Sequence, residues 1–573
     1  MSAAEFSSLV QHSGGLVQWS PDGGLLAVAK GNKLIIRDPD RDCEIVAVFT
    51  CNDRVEAIEW SSDSAYVLTA MLTRALVQVW AVDDPDWSCR INEGLAGMAH
   101  AFWAPDARHV LTVADFGMHL TVWSLLDRTT TLIKHPKPGT GAMCNTMAFS
   151  ADGARFAVAH RRGCKDAVSV FCARSWELVR CFTVQSRDLA SLWWSPDGKV
   201  LCVQDSELEY KVLFYDAGGS DAARGGGRCG ALLASYSAYE HALGVKNVAW
   251  APAGQLVAIG SYDGRIRLLN NSTWRCAVDF AHDAACRPSV CTFVEVPDTS
   301  DRAKTAARRA EKTIREAEAG AISEKDDAGD ISFVPHEGVP ELRVVPADTS
   351  KPSPRLGVGL ISWSADGRFL ASRDDTMPHA IWIWDMERLV LATVIAFIGT
   401  VRSARFDKVN CRLAVCTGGP RVYFWTEQGI SWTDVPSAKP FEVKALRWRP
   451  DGDGVVLVGK GVLTNAIACR APIASPLFAY SPASTCNAHL TPPVRLLAQM
   501  RCACAIRTES ANELGSWLEP ARCVVKITRK LRVETRICCK SGRLGLGRAV
   551  RVSAIPPKVR RRLRRERSPG CRR

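Results

Sequence analysis

Three short β-prone runs separated by turn signals lie between Val245 and Ser272, in VKNVAWAPAGQLVAIGSYDGRIRLLNNS. The runs are Val245–Trp250, Leu256–Gly260 and Arg265–Leu269, and the last two are joined through Asp-Gly. Asp-Gly between alternating hydrophobic runs is a strong short-range signal for a β-hairpin. The stretch therefore predicts a β-meander, which can bury its apolar faces only against neighbours of the same kind.

The same unit recurs along the chain, and each copy opens with an aromatic residue followed by a turn such as Ser-Pro-Asp-Gly. Six of the eight steps between these aromatic anchors measure 41 to 46 residues, the period of a four-stranded propeller blade. The third β-prone run of most copies ends at or near an aromatic residue, as in LVQVW at 76–80 and IWIWD at 381–385. Nine copies predict an all-β propeller. The anchors are Trp19, Trp60, Trp103, Phe149, Trp194, Trp250, Trp363, Phe406 and Trp448.

The nine copies favour a single irregular ring, although most propellers have four to eight blades, and two smaller or incomplete propellers are the alternative. Residues 5–10 can supply a strand that pairs with the last blade and so removes an exposed sheet edge. The pattern is lost after Lys460-Gly461. We therefore predict a ninth blade without its third strand, poor ring closure at 461–470, and an exposed edge on Val455–Val458.

Two of the spacings between successive aromatic anchors are longer than the repeat period. The Gly-rich stretch at 217–230 lacks the Lys-Ser/Thr of a phosphate-binding loop and is predicted to be a surface loop. The insertion at 283–355 separates blades one to six (1–282) from blades seven to nine (356–461). Its Ala-rich, charged centre at 303–320 predicts a short helix between disordered flanks, serving as a spacer or as a docking or phosphorylation segment.

The positive charge of the protein is concentrated at its C-terminal end. The formal net charge is +13, but residues 464–573 alone hold 23 Lys and Arg against 5 Asp and Glu, which leaves the remainder near −5. The segment 462–573 also has no repeat period, and it reads either as translated non-coding sequence or as a real basic, disordered tail. If it is real, Arg560–Arg567 resembles a nuclear-localisation or nucleic-acid patch.

Turn and strand-end residues complete the blade pattern. Asp263, in the Asp-Gly turn, is predicted to accept hydrogen bonds from neighbouring backbone and to hold the blade corner. Trp384-Asp385 is the one Trp-Asp dipeptide in the repeats, so the other copies are degenerate. These residues are predicted to have structural roles.

Motifs for chemistry are absent from the sequence. It contains no HExxH, GxSxG or paired-carboxylate motif. Of its 22 cysteines, those of the tail lack the paired spacing and histidine partners of a zinc site, and those of the propeller fit as small buried hydrophobic residues. We predict no enzymatic activity, catalytic residue, cofactor, metal or small-molecule substrate. No transmembrane run or secretory signal is found, so reduced cysteines and no membrane association are expected.

Several segments outside the general blade pattern resemble one family. They include LVQVWAVDDPDWSCRINEGLAG at 76–97, SAYEHALGVKNVAWAP at 237–252 and HAIWIWDMERL at 379–389. Between about residue 16 and residue 461 the chain is similar to the centrosomal and spindle-pole WD-repeat protein family, which in mammals is encoded antisense to a tumour-suppressor gene. The insertion at 283–355 is longer and more charged than this family implies.

The resemblance implies a non-enzymatic scaffold located in the cytoplasm, on the cytoskeleton, at the centrosome or spindle pole. It implies a coiled-coil partner that helps to anchor microtubule minus ends, with roles in spindle assembly and cilium formation. Nucleic-acid binding through the basic tail is an alternative that is less favoured than the scaffold. An adaptor of another complex, such as a substrate receptor or a coat component, is the other alternative, because function resides in surface sites and not in the fold.

Overall fold

The architecture is seen in a computed structural model that describes residues 5–139, 145–218, 230–283, 291–297, 331–335, 342–348, 350, 355–437 and 441–467. Its strands form nine separate antiparallel sheets, apart from one parallel pairing in the seventh. Each sheet is one blade, and its strands follow one another along the chain because the connecting turns are short.

The chain begins with two short strands, β1 (Glu5–Phe6) and β2 (Val10–Gln11). Blade one contains β3 (Val17–Trp19), β4 (Leu26–Lys30), β5 (Lys33–Asp38) and β6 (Glu44–Thr50). Blade two contains β7 (Ala57–Trp60), β8 (Tyr66–Met71), β9 (Leu76–Ala81) and β10 (Ser88–Asn92). Blade three contains β11 (His100–Trp103), β12 (His109–Val113), β13 (His119–Ser124) and β14 (Thr130–Lys134). Blades four to six are β15 (Met147–Phe149), β16 (Arg155–Arg162), β17 (Lys165–Cys172), β18 (Leu178–Thr183); β19 (Ser191–Trp194), β20 (Val200–Gln204), β21 (Val212–Asp216), β22 (Leu232–Tyr236); and β23 (Val245–Trp250), β24 (Leu256–Ser261), β25 (Arg265–Asn270), β26 (Cys276–Ala281).

Two strands, β27 (Cys291–Pro297) and β28 (Ile331–Pro335), precede blade seven. Blades seven to nine are β29 (Val358–Trp363), β30 (Phe369–Asp374), β31 (Ala380–Asp385), β32 (Val390–Ala396); β33 (Ser403–Phe406), β34 (Leu413–Cys416), β35 (Arg421–Thr426), β36 (Gly429–Asp434); and β37 (Ala445–Trp448), β38 (Gly454–Val458), β39 (Val462–Ile467). The helical elements of the described residues are three 3₁₀ turns, at Leu72–Arg74, Gly94–Ala96 and Asp115–Gly117.

Hydrophobic packing joins every blade to the next. The described residues form nine buried apolar clusters, and each cluster draws its residues from two neighbouring blades, including the pair formed by blades nine and one. The second and third strands are almost entirely buried, as in Leu26–Lys30 and Ala380–Asp385, whereas the fourth strands are largely exposed. The blades therefore form one ring with nine members, and the prediction of a single ring is confirmed.

Ring closure differs from the prediction. Residues 462–467 form β39, the third strand of blade nine, so Val455–Val458 is paired with Leu463–Ala466 and is not an exposed edge. The N-terminal strands then pair with β39, with Phe6 opposite Ala466 and Val10 opposite Leu463. The prediction of an incomplete blade was wrong because β39 lacks the terminal aromatic residue on which it relied, whereas Leu463 and Ala466 are buried.

Part of the insertion is ordered, contrary to the prediction that its flanks are disordered. Strand β27 pairs in parallel with β32, and β28 pairs antiparallel with β27, which makes blade seven a six-stranded sheet. Glu295 fixes β27 there, accepting hydrogen bonds from the Tyr423 hydroxyl at 2.6 Å and from the Ile398 amide at 2.8 Å. The predicted helix at 303–320 and most of the loop at 217–230 lie outside the described residues.

Candidate protein-interaction face

The tryptophan anchors link the innermost strands of neighbouring blades. The Trp60 indole Nε1 donates to the carbonyl of Gln18, the residue just before the anchor of blade one, at 3.1 Å. The same bond recurs at Trp103, Trp194, Trp363 and Trp448, with distances of 2.8 to 3.2 Å. Trp19 donates to the Arg447 carbonyl at 3.1 Å and so closes the ring.

Three anchors do not extend this series. Phe149 and Phe406 have no donor, although both lie at the ends of first strands as the pattern predicts. Trp250 also ends a first strand, but its Nε1 is buried without a hydrogen-bond partner among the described residues. The ring therefore tolerates the loss of this bond where the aromatic ring still packs between two blades.

A second set of tryptophans connects strands within a blade. The Trp384 indole donates to the Ser372 hydroxyl at 2.8 Å, and the imidazole of His282 from the preceding blade meets the same oxygen at 2.8 Å. Burial lowers the pKa of His282, which keeps the imidazole neutral. In blade three, Trp123 donates to Thr112 in the same way.

The two predicted turn residues hold corners of blades. Asp263 accepts hydrogen bonds from the Ser261 hydroxyl at 2.7 Å and the Arg265 amide at 3.1 Å, and it pairs with Arg267 at 2.7 Å. Burial opposes its ionisation, but these hydrogen bonds outweigh burial, and the pKa of Asp263 lies below its ordinary value. Asp385 accepts the Glu387 amide at 2.8 Å in the turn after β31.

Charged groups line the inner strands at positions that sequence reasoning did not single out. Arg405 and Arg447 lie on β33 and β37, each just before an anchor, with side chains that solvent still reaches. Partial desolvation by the surrounding protein, together with the positive charge of Arg405, lowers the pKa of Arg447. Glu59 occupies the same position in blade two, where burial raises the pKa of its carboxyl to about 7. In the sequence, these charged groups can be found by reading the residue that precedes each aromatic anchor.

The meander divides the loops between two faces of the ring. The upper face is formed by two kinds of loop: those that join the second strand of a blade to its third, and those that join the fourth strand to the next blade. The other loops form the lower face. All three 3₁₀ turns of the described residues lie on the upper face of blades two and three. Loops of this kind carry binding residues in rigid scaffolds, so the upper face is the candidate site.

Two large apolar side chains project from these turns. Leu95, between β10 and β11, and Phe116, between β12 and β13, are fully or almost fully exposed. Met118 is about half exposed in the same loop as Phe116. An exposed apolar group of this kind on a rigid loop is typical of a protein-binding surface.

Chemistry other than binding is not evident in the part of the chain that the structure describes. No group of three or more His, Cys, Asp or Glu side chains there could hold a metal ion. Within the same ranges, no helix is long and apolar enough to cross a membrane. A cavity of about 280 Å³ on the upper face is lined by Ser13, Gly14, Leu16 and residues 54–56.

Fold and repeats define the class of protein as a WD-repeat β-propeller: residues 230–270 match the model of the WD domain, G-beta repeat. The chain is 39% identical over 456 residues to WD repeat-containing protein WRAP73 of Mus musculus, covering 79% of this chain and 94% of that protein. It belongs to the family of WRAP73, which is the mammalian WD-repeat protein encoded antisense to a tumour-suppressor gene.

More distant similarities were also found. An uncharacterized WD repeat-containing protein of Schizosaccharomyces pombe is 22% identical over 368 residues, covering 60% of this chain and 65% of that protein. The crystal structure of the C-terminal WD40 domain of Sif2 is similar with a TM-score of 0.43 and 12% identity, covering 81% of this chain and 98% of that domain.

Proposed function

We propose that this protein is a scaffold of the centrosome and spindle pole that anchors microtubule minus ends together with a coiled-coil partner. In this role it supports spindle assembly and, in ciliated cells, cilium formation. The observation that carries the proposal is membership of the WRAP73 family, which extends over nearly the whole length of the mouse protein. The cytoplasm and the microtubule-organising centre are the proposed location.

The form of the ring is compatible with a scaffold. Inter-blade clusters and indole bonds make the frame rigid, so loops on the upper face are held in fixed relative positions. A rigid surface loses little conformational entropy on binding, which favours affinity for a helix or peptide laid across it. The proposal requires binding and positioning, and it assigns no reaction to the protein.

Imaging and depletion test this proposal. The full chain, fluorescently tagged, is expected at both spindle poles of dividing cells, and its depletion is expected to release microtubule minus ends from the poles. Re-expression of the full chain should restore anchoring. A diffuse or nuclear distribution, or normal minus-end anchoring after depletion, would contradict the proposal and favour an adaptor of another complex.

Nucleic-acid binding is a second candidate, favoured by the net charge of +18 over residues 464–573. Cationic segments bind phosphate backbones with an affinity that falls steeply with salt. If this candidate holds, the full chain binds RNA or DNA at low salt and a chain ending at residue 467 does not. Equal, weak binding by both proteins excludes it.

A further inference from the structure

Phe116 combines backbone strain with exposure. Its φ of 58° and ψ of 16° place an aromatic residue in the left-handed region, which glycine occupies at far lower cost. The side chain is 92% exposed, so the ring gains almost nothing from burial within this chain. Left-handed backbone also occurs at other non-glycine residues of the described chain, such as Trp176 and Trp274, but those two side chains are not exposed as Phe116 is. The combination of strain and exposure points to a role for the Phe116 side chain outside folding.

Close backbone contacts hold the Phe116 turn in place. A Cβ at Gly97 would collide with the Asp115 carboxylate, and a Cβ at Gly117 would lie 2.5 Å from the Pro136 carbonyl oxygen. The turn is therefore packed between the loop that carries Leu95 and the loop that follows β14. Leu95 and Phe116 thus project from adjacent, tightly packed loops of the upper face.

Three cations without an ion-pair partner among the described residues lie beside these apolar groups, where Asp115 is the acidic neighbour of Phe116 in its own turn. The His135 amide donates to the Met118 carbonyl at 3.1 Å, which places Lys134 next to the Phe116 turn. Pro136 bridges to His160, which precedes the exposed hairpin tip at 161–165. Lys134, Arg162 and Lys165 are exposed, and none of them forms an ion pair among the described residues, whereas the neighbouring Arg161 pairs with Asp188.

We infer that this part of the upper face binds an amphipathic helix with an acidic polar side, supplied by the protein partner of the scaffold; the inference rests on the proposed function. A helix presents apolar side chains along one side and acidic ones beside them, which complements the two projecting apolar groups and the flanking cations. We call this the Phe116 surface, and its members are Leu95, Phe116, Met118, Lys134, Arg162 and Lys165.

Two other exposed leucines, one on each face of the ring, can be compared with Phe116. Leu208 is also strongly exposed, but it lies between Glu207 and Glu209. Glu207 has no ion pair among the described residues and Glu209 pairs with Arg187 at 2.7 Å, so the flanks of this leucine do not favour an acidic helix. Leu126 is 69% exposed on the lower face, in the turn after β13. These two positions serve as controls with strong apolar exposure outside the group formed by Lys134, Arg162 and Lys165; Leu126 is followed by Asp127 and Arg128, so its neighbours carry both charges.

Site-specific photo-crosslinking identifies the occupant. Benzoylphenylalanine is placed at position 116, 208 or 126 of the full chain in cells, and crosslinked peptides are sequenced. Position 116 alone is expected to capture one segment that is acidic and has an apolar repeat of helical period. No crosslink, the same segment at all three positions, a basic segment, RNA, or a second copy of this chain would each overturn the inference.

Binding measurements then separate recognition from folding. The recovered segment, synthesised as a peptide, is titrated against the full chain and against Phe116→Gly, which removes the ring and relieves the left-handed strain. We expect at least tenfold weaker binding with an unchanged or higher Tm. Arg162→Glu with Lys165→Glu should also weaken binding at least tenfold, and exchange of Glu for Lys in the peptide should restore it. Unaltered affinity in both variants overturns the inference.

Localisation distinguishes the two levels of the proposal. If the full chain lies at spindle poles but Phe116→Gly binds the peptide normally, the scaffold function stands and the Phe116 surface is not its partner site. If the full chain never reaches the poles, the proposed function fails whatever the crosslinking shows. Leu208→Ser, the matched variant, is expected to leave both binding and localisation unchanged.

Discussion

Single side chains decide how firmly one blade is joined to the next. Six anchor tryptophans donate an indole hydrogen bond across a blade boundary, whereas Trp250 occupies the same position without a partner among the described residues. The sequence predicts all of these positions as equivalent anchors. Their hydrogen bonding differs because it depends on where the neighbouring backbone lies, to within a few tenths of an ångström.

Substitution of phenylalanine measures this difference. Trp363→Phe removes the 3.2 Å bond to the Ala249 carbonyl and is expected to lower the free energy of unfolding by about 1 kcal/mol more than Trp250→Phe does. Both changes remove similar ring volume, so their difference isolates the hydrogen bond. Urea denaturation of the two variants provides the measurement, and equal losses would show that the indole bond contributes nothing.

Glu59 gives the protein a pH-dependent term in stability. In the folded state burial raises its pKa to about 7, whereas an exposed glutamate has a pKa near 4.5. The folded state therefore binds more protons between these values, and stability falls as the pH rises from about 4.5 to 7. Glu59→Gln, which still accepts a hydrogen bond from the Trp103 amide, removes this loss.

Thermal denaturation at several pH values tests the Glu59 prediction. At pH 8 the Glu59→Gln variant is expected to be more stable than the wild type, by on the order of 2 kcal/mol, with little difference at pH 4.5. A constant difference across this range would indicate that Glu59 titrates normally in the folded protein.

At the scale of elements, the ends of the described chain meet in one blade. Strand β39 lies between β38 and the N-terminal strands, so blade nine contains residues separated by more than 450 positions. The sequence predicts the N-terminal contribution from ring closure alone. It does not predict β39, because VLTNAI has no terminal aromatic residue and its burial pattern depends on both neighbours.

Truncation tests the role of β39. A chain that ends at residue 467 is expected to keep a Tm within a few degrees of the full chain, whereas one that ends at residue 461 should lose at least 10 °C or aggregate. Removal of β39 leaves one edge of β38 without a partner and removes Leu463 and Ala466 from the clusters that they complete. Scanning calorimetry of the two proteins decides the matter, and equal Tm values would mean that β39 is dispensable.

For the whole molecule, ring closure makes the blades interdependent. An open array of repeats can unfold from its ends, whereas here each blade shares an apolar cluster with both neighbours. We expect one cooperative unfolding transition, with a calorimetric enthalpy equal to the van't Hoff enthalpy. Deletion of residues 1–11 removes the two strands that pair with β39 and so weakens closure at blade nine, which should broaden this transition. A sharp, unshifted transition would argue against a role of these strands in closure.

The sequence by itself determined the repeat, its period and the nine blades, because each blade must bury aromatic and small apolar residues at fixed positions. It located the first strand of blade six, Val245–Trp250, at its observed bounds. Only the tertiary structure decided the completion of blade nine, the addition of β27 to blade seven and the close approach of the two loops that carry Leu95 and Phe116. These features join residues distant in sequence, and their hydrogen bonds and contacts exist only once the ring has brought those residues together.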